Sequence, residues 1–256
     1  GHPEFIDLVP RALRQQWREQ GLYQGLDLFS SFYRLAMQQP QALAVADAHY
    51  CLNYQQLLAR ALSLAKVLQQ QGVVAGDVVA VNLANGWQAC ALDLAVAALG
   101  AVVLPFPIGR KKHESRSLLQ RSGAKALVCA RWVGESDYGA MIDELGAQLP
   151  ALRIRILQGP CLEGWLDLEE LWDGPQLAYE AGWIDADGPA RLIASSGSES
   201  EPKLVAYSHN GLLGGQAAYL DSLSQSGAPV RALFCVPLAS PFGSLATSCV
   251  MAAQGG

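Results

Sequence analysis

No two of the six cysteines (Cys51, Cys90, Cys129, Cys161, Cys235 and Cys249) form a C-x-x-C pair. That spacing excludes the common zinc and redox motifs, and a disulfide framework is not expected in a chain of 256 residues. Each cysteine lies among apolar neighbours, which predicts buried thiols in a reducing compartment. A positive excess is also missing: 18 Lys and Arg stand against 23 Asp and Glu, a net charge of −5. Without a basic field, neither nucleic acid nor an anionic membrane is expected as a partner. The longest apolar run, Ala89–Ile108, is broken by Asp93, Gly100, Pro105 and Pro107. It reads as a buried helix ending near Gly100 and a strand over Ala101–Leu104, not as a membrane span. Gly1-His2-Pro3 carries no apolar signal region; Gly1-His2 is read as a tag remnant, and the expected location is the cytoplasm. Internal repeats and low-complexity tracts are lacking.

What is present is a globular composition, 51% hydrophobic and 16% charged, with a mean hydropathy of +0.16. Its length fits one large domain or two smaller units and suffices for a core. Residues 3–26 read as an N-terminal helix and lead-in. Phe29, Phe32, Tyr33, Leu35 and Ala36 recur at helical spacing over Leu28–Gln38, and Pro40 stops that helix. Ala42–Ala46 and Tyr50–Leu52 form a hairpin about a turn at Asp47–His49. Asn53 and Gln56 make a capping box for a helix whose buried stripe is Leu57, Leu58, Ala61, Leu62, Ala65 and Leu68, closed by Gly72.

Beyond Gly72, strands and helices alternate. Val78–Leu83, Ala101–Leu104 and Ala126–Cys129 are strands; Gly86–Leu99 and Glu114–Ser122 are helices. This order predicts an α/β fold, a layered parallel sheet with helices on both faces. Residues 131–190 read as a connection over the surface, with one strand at Arg153–Leu157. A strand from Leu192 to Ala194, a helix from His209 to about Ser224 with Ser208 as N-cap, a strand at Val230–Val236 and a helix at Pro241–Ala253 complete the pattern. The tryptophans show no regular spacing and read as packing. Lys111, Lys112, Arg116 and Arg121 read as a solvated face.

The stretch with the most chemistry is SSGSESEPKLVAYSHN, Ser195–Asn210. Gly197 tolerates positive φ and the small neighbours let a ligand approach the backbone. Ser195, Ser196, Ser198 and Ser200 offer hydroxyl donors, successive N–H groups can cradle an anion, and Lys203 adds a point charge suited to phosphate. A loop following a strand of an α/β sheet is where such folds bind ligands. The pattern is neither a Walker loop nor G-x-G-x-x-G.

Ser195-Ser196-Gly197-Ser198, Pro202-Lys203 and Ser208-His209 resemble the phosphate-loop signature of the adenylate-forming (AMP-binding) superfamily, which includes acyl- and aryl-CoA ligases and adenylation domains. Pro40–Phe106 resembles the family's front region in order and spacing, as does Leu118–Ala130. Phe234–Gly256 resembles the segment that lines the acyl pocket. Three departures stand out: Glu199-Ser200 replaces Thr-Gly, Leu204 replaces a Gly, and Ser240 stands where many acyl-CoA ligases have His.

The resemblance implies ATP-dependent adenylation of a carboxylic acid to acyl-AMP and pyrophosphate, then transfer to a thiol of CoA or of a carrier protein. ATP and Mg²⁺ are the implied cofactors, gripped by Ser195, Ser196, Gly197, Ser198, Glu199, Ser200 and Lys203. His209 stands either near the phosphates or as a first-turn residue that orients the loop. Leu238, Ala239, Ser240, Phe242 and Gly243 either line the acyl pocket or pack a strand end against a helix start; small Ala239 and Ser240 leave room for a flat or bulky acid. The implied organisation is a lead-in over 1–26, a first α/β subdomain over 27–190, and the phosphate loop with the start of a truncated second subdomain over 191–256. The family's catalytic Lys and Thr-Glu pair lie beyond this chain, so the expectation is an N-terminal portion inactive alone, with an exposed apolar sheet edge that favours a homodimer. A non-catalytic nucleotide- or partner-binding α/β domain is the alternative reading.

Overall fold

The computed structural model describes residues 6–7, 11–21, 25–105, 111–194 and 203–214. A short strand β1 (Ile6–Asp7) and helix α1 (Arg11–Glu19) lead to α2 (Leu28–Gln38). The hairpin of β2 (Leu43–Ala46) and β3 (Cys51–Asn53) precedes the long helix α3 (Tyr54–Gln70). Then β4 (Val78–Asn82), α4 (Trp87–Ala98), β5 (Val102–Pro105), α5 (Lys112–Ser122) and β6 (Ala126–Ala130) alternate. A small hairpin of β7 (Trp132–Val133) and β8 (Ser136–Asp137), helix α6 (Tyr138–Glu144), β9 (Ile154–Gln158) and β10 (Leu166–Asp167) follow. The last described elements are β11 (Pro189–Ala194), β12 (Leu204–Ser208) and helix α7 over residues 209–214.

Eight strands form one sheet in the order β1-β12-β11-β5-β4-β6-β9-β10. Side chains along β4 alternate between two cores, as the two-residue period of a strand requires. Val79 and Val81 join α2, α3 and α4 on one face; Val78 and Ala80 join α5 and α6 on the other. The near-continuous Val/Ala run of β4 is therefore the mark of a strand covered on both sides. No helix among the described residues is long and apolar enough to cross a membrane.

Local signals account for the helix ends. Asn53 accepts a hydrogen bond from the Gln56 N–H at 2.8 Å while Gln56 accepts from the Asn53 N–H at 2.9 Å, which closes the expected box. The α4 N-terminus has no cap of its own, because Gly86 offers no side chain. Asp47, from the β2–β3 turn, accepts from the Trp87 N–H at 3.2 Å instead. Burial pushes the Asp47 pKa up, but the backbone hydrogen bonds of His49, Trp87 and Tyr50 outweigh it and hold the carboxyl below its usual value.

The structure corrects three expectations. The sheet is mixed, because Leu204–Ser208 forms a strand antiparallel to β11 where the sequence reading placed only loop before the helix. Leu204, Val205 and Tyr207 favour a pleated surface, and that preference prevails over the small polar residues preceding them. Residues 131–190 contain the expected strand, as β9, but are not otherwise only a surface connection: they add β10 beside it, and Trp165 and Trp172 are buried. The thiols are not all buried. Cys90 and Cys129 are, and burial pushes the Cys90 thiol up to about 12, but Cys51 and Cys161 are exposed. Cys51 precedes buried Leu52 on β3, so strand alternation turns it outward. Cys235, Cys249 and the expected elements at 230–236 and 241–253 lie outside the described residues.

Candidate functional site

Strands β4, β5, β6, β9 and β11 run parallel and share a carboxyl edge. From β4 the chain crosses one face by α4 to β5, then the other face by α5 to β6, so strand order reverses beside β4. A crevice outside the carboxyl ends at such a reversal is the ordinary ligand site of an open α/β sheet. Three features meet that edge. Asn82 ends β4 almost fully buried, and neither atom of its amide has a hydrogen-bond partner among the described residues. Ala194 pairs with Leu204, so β11 ends and β12 begins at this same edge. Lys203 is solvent-exposed at the foot of β12. An exposed ammonium and an orphaned buried amide, both at the sheet's carboxyl edge, suit a polar, anionic ligand.

Of the site residues named from sequence, Lys203 and His209 are described; Ser195, Ser196, Gly197, Ser198, Glu199, Ser200, Leu238, Ala239, Ser240, Phe242 and Gly243 lie outside the described residues. The structure does not bring Lys203 and His209 together. The five residues of β12 separate them, about 17 Å of extended chain. Ser208 is the expected N-cap, its Oγ accepting from the Gly211 N–H at 3.0 Å. His209 is buried at the amino edge, where its Nδ1 accepts from the Leu28 N–H at 3.1 Å and so satisfies the first turn of α2. Asn210 continues the tether, donating to Asp187 Oδ1 at 2.8 Å. Asp27 caps α2 through the Ser30 N–H at 2.9 Å, and Ser30 Oγ bonds both Asp27 and the Tyr179 hydroxyl.

Sequence reading missed Asn82, although a polar residue closing a Val-Val-Ala-Val run was the available signal. It also missed the Arg191–Asp93 pair. Arg191 of β11 is 2% exposed and donates to Asp93 of α4 at 2.6 Å. The sequence marked Asp93 only as an interruption in an apolar run, and its partner lies 98 residues away.

His209 makes folding pH-dependent. Burial pushes its pKa down from 6.5 to about 4, against the raising influence of Asp27 and Asp185 and with a smaller lowering push from Arg191. The unfolded chain therefore binds the extra proton first as pH falls. The neutral ring's stabilising contribution is complete above pH 6.5 and is lost as pH falls from there to about 4. Urea unfolding is expected to show a loss on the order of 3 kcal/mol from this group across that window. His209→Asn keeps an acceptor for Leu28 but does not titrate, so it should flatten the profile between pH 6.5 and pH 4. An unchanged profile would show that other groups govern it.

The sequence profile of the AMP-binding enzyme family matches residues 32–256. The chain belongs to that family. It is 32% identical to Protein Y of Streptomyces griseus over 225 residues, covering 86% of this chain and 72% of that protein. It is 31% identical to the salicyl-AMP ligase / salicyl-S-ArCP synthetase of Mycobacterium tuberculosis, covering 78% of this chain and 36% of the relative. Among solved structures, apo MbtA of Mycobacterium smegmatis superimposes with a TM-score of 0.83 at 25% identity, over 97% of this chain and 46% of MbtA. The chain thus spans less than half the length of the ligase relatives it matches here.

Proposed function

We propose that the full-length protein activates an aromatic carboxylic acid by ATP-dependent adenylation and passes the acyl group to a thiol. The observation that carries this reading is that β11 ends at Ala194 and β12 begins at Leu204 on the carboxyl edge, with Lys203 exposed there, in a chain of the AMP-binding enzyme family. In the first step a carboxylate oxygen bonds to the α-phosphorus while the bond to the β-phosphate bridge breaks, and pyrophosphate leaves with the electron pair. In the second, a thiol sulfur bonds to the acyl carbon, the carbon–oxygen bond to AMP breaks, and the thiol proton passes to solvent.

The residues proposed to grip the triphosphate of Mg²⁺–ATP are Ser196, Gly197, Ser198 and Lys203, with Ser195 and Ser200 as further donors. Backbone and hydroxyl donors and a cation suit a leaving pyrophosphate, because catalysis of this step rests on position and charge. Glu199 would have to face solvent or the bound cation. Leu238, Ala239, Ser240, Phe242 and Gly243 are proposed to line the acid pocket, residues 27–190 to form the first subdomain and 191–256 to open the second. Support for an aromatic acid comes from relatives named for salicylate and 2,3-dihydroxybenzoate. CoA and a carrier-protein pantetheine are both represented among relatives, in a naphthoate–CoA ligase and the salicyl-S-ArCP synthetase.

Acid-dependent exchange of labelled pyrophosphate into ATP by the full-length native protein tests this reading. Exchange is expected with hydroxylated benzoates. No exchange with any of a panel of aryl and alkyl acids would overturn it.

A further inference from the structure

The amino edge of the sheet carries a second concavity, of about 450 Å³, unrelated to the nucleotide edge. It lies where three connections meet: Val73–Gly76 before β4, Leu99–Gly100 before β5, and Trp183–Pro189 before β11. That is the end of β11 opposite Ala194, about 20 Å away along six residues of strand.

Its walls are built rather than accidental. The Gly76 N–H donates to the Gly100 carbonyl at 2.9 Å and the Val74 N–H to Asp77 Oδ2 at 2.8 Å, which fixes two of the three turns. Gly100 has φ +64°, and a Cβ there would stand 3.3 Å from Ala75 and 3.6 Å from Ile184. The lining is mainly apolar, and two large apolar side chains stand out in solvent at its rim, Val74 at 59% and Trp183 at 53% exposure. Exposed groups of that size beside a concavity mark a binding surface more often than isolated ones do.

The polar content of the cleft defines the ligand. His209 lines it while being 1% exposed. Its Nδ1 is committed to the Leu28 N–H, so the neutral ring carries its proton on Nε2. The other polar side chains lining the cleft are Gln69 and Asp185. A carboxylate and, among the described lining residues, no Lys or Arg disfavour an anionic ligand, whereas a neutral imidazole N–H at the wall can donate to an acceptor.

We propose that this cleft binds an uncharged aromatic molecule with a carbonyl or ether oxygen, the ring against Trp183 and Ile184 and the oxygen accepting from His209 Nε2–H. The ligand class differs from the carboxylate acid proposed for the opposite edge, and the cleft does not depend on that reading.

The probe is 6-propionyl-2-(dimethylamino)naphthalene, an uncharged aryl ketone whose emission shifts to the blue on leaving water, titrated into the chain of residues 1–256. Saturable binding in the range of about 10–100 µM is expected for a ligand of this size, with quenching of tryptophan emission. Ala75→Phe, at an exposed rim position, should abolish it. His209→Asn should weaken the ketone about 10-fold yet leave 2-(dimethylamino)naphthalene, which lacks the carbonyl, unchanged. Should His209→Asn not fold, the two probes on the unsubstituted chain decide the same point, because equal affinities would refute the hydrogen bond. Binding that never saturates, that survives Ala75→Phe, or that Mg²⁺–ATP with salicylate displaces would overturn the proposal.

Discussion

Replacing Asp93 by alanine is expected to lower the unfolding free energy by about 3–5 kcal/mol, the cost of removing one partner of a buried ion pair. Arg191 is 2% exposed, and Asp93 accepts its guanidinium at 2.6 Å from a helix otherwise buried along most of its length. A guanidinium does not neutralise itself by losing a proton at accessible pH, so the strand must either bury the charge or distort. Urea denaturation of Asp93→Ala, Asp93→Asn and the double change Asp93→Leu with Arg191→Met separates the contributions. The double variant should recover much of the loss, because a well-packed apolar pair often equals a buried ion pair. A loss below about 1 kcal/mol for Asp93→Ala would mean that the pair is solvated in solution.

Lys203→Ala, made in the full-length protein, is expected to lower kcat/KM for ATP in pyrophosphate exchange about 100-fold, equivalent to about 2.7 kcal/mol of transition-state stabilisation. The charge would act on the departing pyrophosphate more than on bound ATP, so kcat should fall more than KM rises. Lys203→Arg should recover part of the rate. Lys203 is exposed, so the thermal midpoint should stay within about a degree of the parent, a readout that a merely structural lysine would shift. Unchanged exchange kinetics would remove Lys203 from the proposed phosphate grip.

The elements that the sequence specified best are those fixed locally. Leu28–Gln38 matches α2 from end to end, and the box of Asn53 and Gln56 opens α3 as expected. The Val/Ala run of β4 and the punctuation by Gly72 and Gly100 marked the alternating core. Partners distant in the chain were not legible. β12 hid inside a hydroxyl-rich stretch, because its pairing with β11 reverses direction across a loop. Asp47 caps a helix that starts 40 residues later, and His209 meets Leu28 across 181 residues. The cleft beside His209 is a product of three turns, none of which signals a cavity alone. The motif of the proposed phosphate grip was readable because its hydroxyl-bearing residues, Gly197 and Lys203 lie close together in sequence, whereas Asn82 acquires meaning only once β4 is flanked on both sides.

Strand β1 pairs in parallel with β12, Ile6 opposite Val205 and Asp7 opposite Ala206. During synthesis that pairing must wait for about 200 further residues, some 10–40 s at the ordinary pace of a ribosome. The central strands β4, β5 and β6 can condense with their helices well before then. Among the described strands β1 is made first yet its partner β12 is made last, and until the two pair the open side of β12 offers unpaired amides to any neighbouring nascent chain.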